Sequence, residues 1–155
     1  MRLRAAPVRV VSMASADQPV PEPLVPALSA DPLRVPPPRI LLAEGDSAVA
    51  DLTGSVLQRH GFHVVGARDG VEALRHWSAY APDLVLLEVN LARRSGFEVC
   101  EAIRRQSQTP VIMLTTRADE ADVLRAFTAG ADDYITKPFS PLQLVMRITA
   151  VLRRG

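Results

Sequence analysis

The sequence predicts an α/β domain built on a five-stranded parallel sheet, doubly wound and carrying five helices. Three observations predict it. From Arg39 onward an apolar strand and an amphipathic helix alternate five times. The strands are continuous apolar runs, the pattern of strands covered on both faces. Turn residues punctuate the alternation, among them Gly61, Pro82, Pro110 and Gly130.

The first strand is Ile40–Ala43. Ala48–His60 carries Val49, Leu52, Val56 and Leu57 at helical spacing and ends at Gly61. Phe62–Val65 is the second strand and Gly70–Tyr80 the second helix, with Val71, Leu74 and Trp77 on one face. Pro82 introduces the third strand, Leu84–Leu87. A third helix spans Gly96–Gln106. Pro110 introduces the fourth strand, Val111–Leu114. The fourth helix, Asp119–Ala129, closes at Gly130. A short strand at Tyr134–Ile135 and a helix over Ser140–Arg153 complete the pattern. Right-handed crossovers then place helices on both faces of the sheet.

Residues 1–38 have a different character. They hold nine of the chain's thirteen prolines and no aromatic residue. Proline removes ladder donors and breaks helices, and such a segment buries too little apolar surface to offset its ordering entropy. Residues 1–38 are therefore expected to be a disordered tail of polyproline character, and residues 39–155 the folded domain. The sharper alternative for the tail is a ligand of a proline-recognition domain. Met13 is an alternative start of the chain.

Composition excludes several classes. The net charge of +1 gives no overall nucleic-acid footprint. The single cysteine, Cys100, excludes an internal disulfide and a cysteine zinc cluster, and suits a cytoplasmic protein. No apolar run approaches the ~20 residues of a membrane helix. No apolar stretch of signal-peptide type follows the basic Met1–Arg4. His60, His63 and His76 lack metal-ligand spacing, so they are expected at the surface or at helix ends. Arg93-Arg94 is expected in a solvated loop.

In a parallel sheet, ligands sit beyond the carboxyl ends of the strands. The residues there are Glu44-Gly45-Asp46, Glu88, Thr115-Thr116 and Lys137-Pro138. Acids at strand ends can hold a hard cation through oxygen, and a hydroxyl with an ammonium can clasp a phosphoryl oxygen. Lys137 is the one lysine among eighteen basic residues. A compact ammonium is not interchangeable with a planar guanidinium, so this position is expected to need a point charge facing Glu44 and Glu88.

These motifs stand in the order of a known family. Pro82-Asp83-Leu84-Val85-Leu86-Leu87, Pro110-Val111-Ile112-Met113-Leu114-Thr115 and Gly130-Ala131-Asp132-Asp133-Tyr134-Ile135-Thr136-Lys137-Pro138-Phe139 resemble the bacterial response-regulator receiver domain. They are similar to receivers that precede a winged-helix effector. The match runs from about Arg39 to Arg154. The resemblance implies the flavodoxin-like strand order 2-1-3-4-5 and a role in two-component phosphorelay signalling. It implies a pair of acids that binds Mg²⁺ after the first strand, and an aspartate that accepts a phosphoryl group after the third. Carried over by position, Glu44 matches the first acid, Asn90 the metal-binding backbone carbonyl, Thr115 the phosphate-holding hydroxyl, Lys137 the lysine and Tyr134 the aromatic that reports the state. The Lys137–Pro138 bond is expected to be cis.

Two positions depart from the pattern. Gly45 stands where the second acid is expected, and Glu88 where the acceptor aspartate is expected. Mg²⁺ needs near-octahedral oxygen coordination. Glu88, the Asn90 backbone carbonyl and, through water, Glu44 leave it under-coordinated, unless Asp46 compensates, so no cofactor is expected beyond weak Mg²⁺ binding. The Glu88 carboxylate is one methylene longer than aspartate's, in chemistry sensitive to shifts of ~1 Å. It is expected to reach Lys137 and Thr115 and imitate the phosphorylated form. A decayed pocket on a docking module, and residual metal-dependent phosphorylation, stay open beside that reading.

The chain is thus expected to be an atypical receiver that binds proteins and catalyses no turnover. A histidine kinase or an effector protein would be its partner. Nucleic acid is expected to matter only through an effector domain, either missing after Arg154, supplied by another polypeptide or cut from a longer gene. The face of the last two helices and strand is an expected dimer surface. Asp133 and Arg147 match charged positions there, whereas Val123, Thr128 and Gln143 replace usual charged partners.

Overall fold

The computed structural model of the protein describes residues 36–154. Five strands alternate with five helices: β1 (Arg39–Ala43), α1 (Ser47–Arg59), β2 (His63–Ala67), α2 (Gly70–Tyr80), β3 (Leu84–Leu87), α3 (Gly96–Arg104), β4 (Val111–Thr115), α4 (Glu120–Ala129), β5 (Asp133–Thr136) and α5 (Pro141–Arg154). All paired strands are parallel, in the order β2-β1-β3-β4-β5. Fold class, strand order and all ten elements agree with the sequence expectation.

The apolar runs divide by parity, because successive strand residues point to opposite faces. Leu41, Val85, Leu87, Val111 and Met113 join α2, α3 and α4 through Ala73, Phe97, Cys100, Ile103 and Ala126. Ile40, Leu42, Leu84, Leu86, Ile112 and Leu114 join α1 and α5 through Leu57, Leu144 and Ile148. A fully buried leucine or isoleucine contributes roughly 1.5–3 kcal/mol. With every residue of β3 and β4 buried, these two strands form the spine of the domain.

The differences lie at element ends. β2 runs on to Ala67 because each residue of β1 has a partner there, from Arg39 opposite His63 to Ala43 opposite Ala67. Asp46, Asp69 and Asp119 are N-caps whose carboxylates accept backbone N–H bonds, so α4 begins at Glu120 rather than Asp119. Ser95 and Glu98 form a capping box at the start of α3. That helix ends two residues early, where Gln106 N–H turns to the Ile103 carbonyl at 3.0 Å. The expected disordered tail falls almost wholly on residues 1–35, outside the described residues. The Pro38 carbonyl already accepts from His63 N–H at 2.9 Å, so the fold's first sheet bond lies just before Arg39.

Trp77 is half-buried against the α2–α4 side of the core, and its Nε1 donates to Thr109 Oγ1 at 3.2 Å. His60 caps α1 and His76 Nδ1 lies 2.8 Å from the Gly66 carbonyl, in keeping with helix-end and surface positions. Arg93 is exposed, with Asp69 at 3.5 Å. No helix among the described residues is long and apolar enough to cross a membrane.

Candidate functional site

The site lies at the carboxyl edge of the sheet, where the strand order reverses between β1 and β3. Ala43 and Leu87 are register partners, so the next residues, Glu44 and Glu88, emerge side by side. Glu88 N–H donates to the Ala43 carbonyl at 3.0 Å, locking the two turns together. One strand further on, Thr115 ends β4 opposite Thr136, and Lys137 N–H donates to the Thr115 carbonyl at 2.8 Å. The Lys137–Pro138 bond is cis, as the resemblance implied. Gly96 permits this layout: a Cβ there would stand 2.4 Å from the Glu88 carbonyl oxygen.

The Lys137 ammonium sits between the two glutamates. Its Nζ donates to Glu44 Oε1 at 2.6 Å and to Glu88 Oε1 at 2.7 Å. The remaining oxygens are taken by the local backbone: Asp46 N–H donates to Glu44 Oε2 and Asn90 N–H to Glu88 Oε2, both at 3.1 Å. Both carboxylates and Thr115 are buried. Burial raises the Glu88 carboxyl's pKa. Hydrogen bonding from Lys137, then from the Thr115 hydroxyl and the Asn90 amide, outweighs that and leaves it below the usual carboxylate range. Burial likewise works against the charged Lys137, but the hydrogen bonds to Glu44 and Glu88 prevail and raise its pKa.

The expected residues Glu44, Glu88, Asn90, Thr115 and Lys137 therefore converge. Tyr134 stands beside them, half-buried. Its hydroxyl donates to the Arg117 carbonyl, and burial raises the phenol's pKa. Thr115 Oγ1 accepts from Arg117 N–H at 3.2 Å, so strand-end hydroxyl and aromatic grip one loop from two sides.

Mg²⁺, which the family implies, does not fit this donor set. Gly45 offers no carboxylate, and one oxygen of each remaining glutamate is bound to an ammonium. Among the described residues, no group of three or more His, Cys, Asp or Glu residues could hold a metal ion. Asp46 is engaged at the helix start. Its Oδ1 accepts from Ala48 and Val49 N–H at 2.9 and 3.1 Å as the α1 cap. The Asp-Ser-Ala-Val run at the helix start was the available signal for that role.

Arg117 escaped the sequence reading. Its guanidinium forms a two-pronged pair with Asp122, Nε to Oδ2 at 3.0 Å and Nη2 to Oδ1 at 2.7 Å. Its Nη1 donates to Asn90 Oδ1 at 3.1 Å. Among seventeen arginines nothing marked this one, because one partner, Asn90, lies in a loop distant in sequence and the other, Asp122, is positioned by the first turn of α4.

Comparison with known proteins agrees with this fold. A profile described as the response regulator receiver domain matches residues 40–149. The chain is 46% identical over 115 residues to the transcriptional regulatory protein CseB of Streptomyces coelicolor, covering 74% of this chain and 49% of that protein. It is 42% identical over 117 residues to the DNA-binding response regulator MtrA of Mycobacterium tuberculosis, covering 76% of this chain and 51% of that protein. The chain thus spans about half the length of these relatives. Among solved structures, a response regulator of Chloroflexus aurantiacus superposes with a TM-score of 0.73 at 33% identity, covering 76% of this chain and 98% of that one. The BeF3-activated receiver domain of Klebsiella pneumoniae RstA gives 0.72 at 32% identity, covering 74% and 98%. Matched in sequence over most of its described residues and in fold throughout its sheet, the chain belongs to the response regulator receiver domain family.

Proposed function

We propose that this receiver works in two-component signalling as a protein-binding module whose state is set by Glu88 rather than by phosphorylation. One observation carries the reading: Glu88 Oε1 lies 2.7 Å from Lys137 Nζ. A buried carboxylate thereby occupies the lysine that the family uses for an acyl phosphate. Thr115 and Lys137 hold it, Tyr134 closes on the neighbouring loop, and Asn90 fixes its second oxygen through the backbone amide. A ligand shifts a conformational equilibrium only through differential affinity for its states. Here the shifting partner is a protein, a histidine kinase or an effector, and the domain itself turns over no substrate. Transcriptional output through DNA would require an effector domain such as its relatives' names suggest.

The test is incubation with a small-molecule phosphodonor and Mg²⁺, read by intact mass. No phosphate adduct is expected on the unmodified chain or on Glu88→Asp alone, since Gly45 still leaves the metal short of a ligand. An adduct mapped to Glu88 would refute the proposal. The double change Glu88→Asp with Gly45→Asp is expected to regain labelling. A Cβ at Gly45 meets the Arg68 carbonyl at 3.3 Å, a contact that a shift of a few tenths of an ångström relieves. Loss of partner binding in a folded Glu88→Ala variant would favour mimicry, and unchanged binding a decayed pocket.

A second reading concerns self-association through α4, β5 and α5. Leu124, Phe127, Leu142 and Met146 are large apolar side chains on α4 and α5 that are 46–67% exposed. Side chains of that kind on the two helices that flank β5 favour a protein partner at this edge, and a second copy is the partner proposed.

A further inference from the structure

We infer that Arg117 is a strap that couples the Glu88 pocket to helix α4, a positioning role separate from the contacts of Lys137. Two loops and the first turn of α4 meet at its guanidinium. The two-pronged pair with Asp122 ties the β4–α4 loop to the first turn of α4. The bond to Asn90 Oδ1 ties it to the β3–α3 loop. Asn90 is also the residue whose N–H donates to Glu88 Oε2 at 3.1 Å. A continuous chain of hydrogen bonds therefore runs from the Glu88 carboxylate through Asn90 and Arg117 to Asp122.

Geometry restricts how this strap moves. Asp122 N–H is held by the Asp119 cap at 3.0 Å, so the carboxylate that grips Arg117 is anchored to the helix start. The backbone of Arg117 is fixed in turn, with its N–H on Thr115 Oγ1 and its carbonyl under the Tyr134 hydroxyl. The guanidinium carbon lies 5.7 Å from the centre of the buried Phe97 ring, which supports it from beneath. The Asp122 hydrogen bond raises the Arg117 pKa, and the same bond lowers that of Asp122, so both ends stay charged through the physiological range. The fork makes three directed bonds to two partners, which a lysine's point charge cannot reproduce. A change at Glu88 that moves the Asn90 turn is thereby passed to α4, whose exposed Leu124 and Phe127 belong to the proposed docking face.

The coupling to Glu88 rests on the functional proposal above, and the experiment separates the two. Amide hydrogen exchange is followed along the full chain in a double-mutant cycle of Glu88→Gln and Arg117→Ala. Arg117→Ala is expected to speed exchange in the first turns of α4 by roughly 5- to 10-fold, leaving β1 and β3 unchanged. Glu88→Gln is expected to alter α4 exchange in the native background and to lose that effect when Arg117 is absent. Arg117→Lys is expected not to restore it, and it serves as the folded comparison if the alanine variant is unstable. An equal response of α4 to Glu88→Gln with and without Arg117 overturns the strap. So does unchanged α4 exchange in Arg117→Ala. If Glu88→Gln alone leaves α4 untouched while Arg117→Ala speeds it, the strap stands and the role given to Glu88 falls.

Discussion

Lys137 at the carboxyl edge of the sheet and Arg104 at the amino edge are both largely buried cations that join loops distant in sequence, yet they do so by different chemistry. Arg104 meets neutral carbonyls: Gly130 at 2.7 and 3.2 Å, Thr109 at 2.9 Å and Ser107 at 3.1 Å, with only Asp132 as an ionic partner at 3.2 Å. Lys137 meets two buried carboxylates, those of Glu44 and Glu88. The planar fork suits several fixed carbonyl dipoles. The compact ammonium suits two negative charges that converge on one point. The amino edge is thus a neutral clamp that survives partial loss. The Glu44–Lys137–Glu88 cluster at the carboxyl edge is a charge balance that fails when its ammonium is removed.

The largest effect is expected from removing that cation. Lys137→Ala leaves Glu44 and Glu88 buried without a counter-charge, and breaking a buried pair costs about 3–5 kcal/mol. Urea denaturation of the variant measures it. Lys137→Arg is expected to recover less than half, since the guanidinium does not fit between two oxygens held 2.6 and 2.7 Å from a point charge. Full recovery by arginine would show that the site needs only charge, and would erase the contrast with Arg104.

Arg104→Ala is expected to cost less, roughly 2 kcal/mol, because the orphaned carbonyls each lose a hydrogen bond but no buried charge is left alone. The comparison sharpens if Arg104→Lys retains about half of that, one ammonium serving some of the carbonyls. The same denaturation series reads both variants.

A smaller effect concerns pH. The folded-state pKa of Glu88 is lowered from 4.5, so its contribution to stability is present above about 4.5 and is lost as pH falls through the folded value. Lys137 has a raised pKa, so its contribution is present below 10.5 and is lost only as pH rises through its higher folded value. The pair is therefore intact across neutral pH and fails first on the acid side. Glu88→Gln is expected to flatten the stability profile below pH 4.5. An unchanged acid limb would assign the loss to another carboxylate. Cys100 provides a control for global opening. Burial pushes its thiol up to about 11, so alkylation at neutral pH is expected only through unfolding.

How far the sequence led follows the same division between local and distant causes. Continuous apolar runs identified β3 and β4, because parallel strands buried on both faces leave that trace directly. Glu44, Glu88, Thr115 and Lys137 were legible because each directly follows or ends a strand, and parallel strand ends share one edge. Asp46, weighed only as compensation for the missing second acid, is the N-cap of α1. Its cap role was written in the next three residues, but it competed with the expectation of an acid pair. Arg117 was not legible at all. Its pair with Asp122 is local, five residues on, but its bond to Asn90 forms only after β3 and β4 pair, and no periodicity in one segment encodes that meeting. The start of β2 was placed at Phe62 and its end at Val65, since Gly66 and Ala67 lack the side chains that mark a strand. Their pairing with β1 supplies what propensity does not.

The smallest effect on stability is expected at Arg147, where the charge is neither buried like Lys137 nor shared among carbonyls like Arg104. Its Nη1 lies 2.8 and 2.9 Å from the two Asp133 oxygens, with the arginine side chain 43% exposed. Exposed pairs contribute about 0–1 kcal/mol, so Arg147→Ala is expected to be near neutral in denaturation. Its effect on self-association should be small as well. Asp133 already spends Oδ1 on Tyr134 N–H at 2.8 Å and on Arg147 within one chain, so a cross-subunit bridge would have to break bonds that exist in the monomer. Association through this face must then come from apolar side chains such as Leu142, which is 64% exposed on α5. Sedimentation equilibrium of the native chain, Arg147→Ala and Leu142→Glu separates the possibilities. Self-association that is weakened by Leu142→Glu and spared by Arg147→Ala supports the apolar interface. Loss on Arg147→Ala would mean that the pair opens to bridge two copies. A monomer at all concentrations would remove the dimer reading and leave these side chains to a different protein partner.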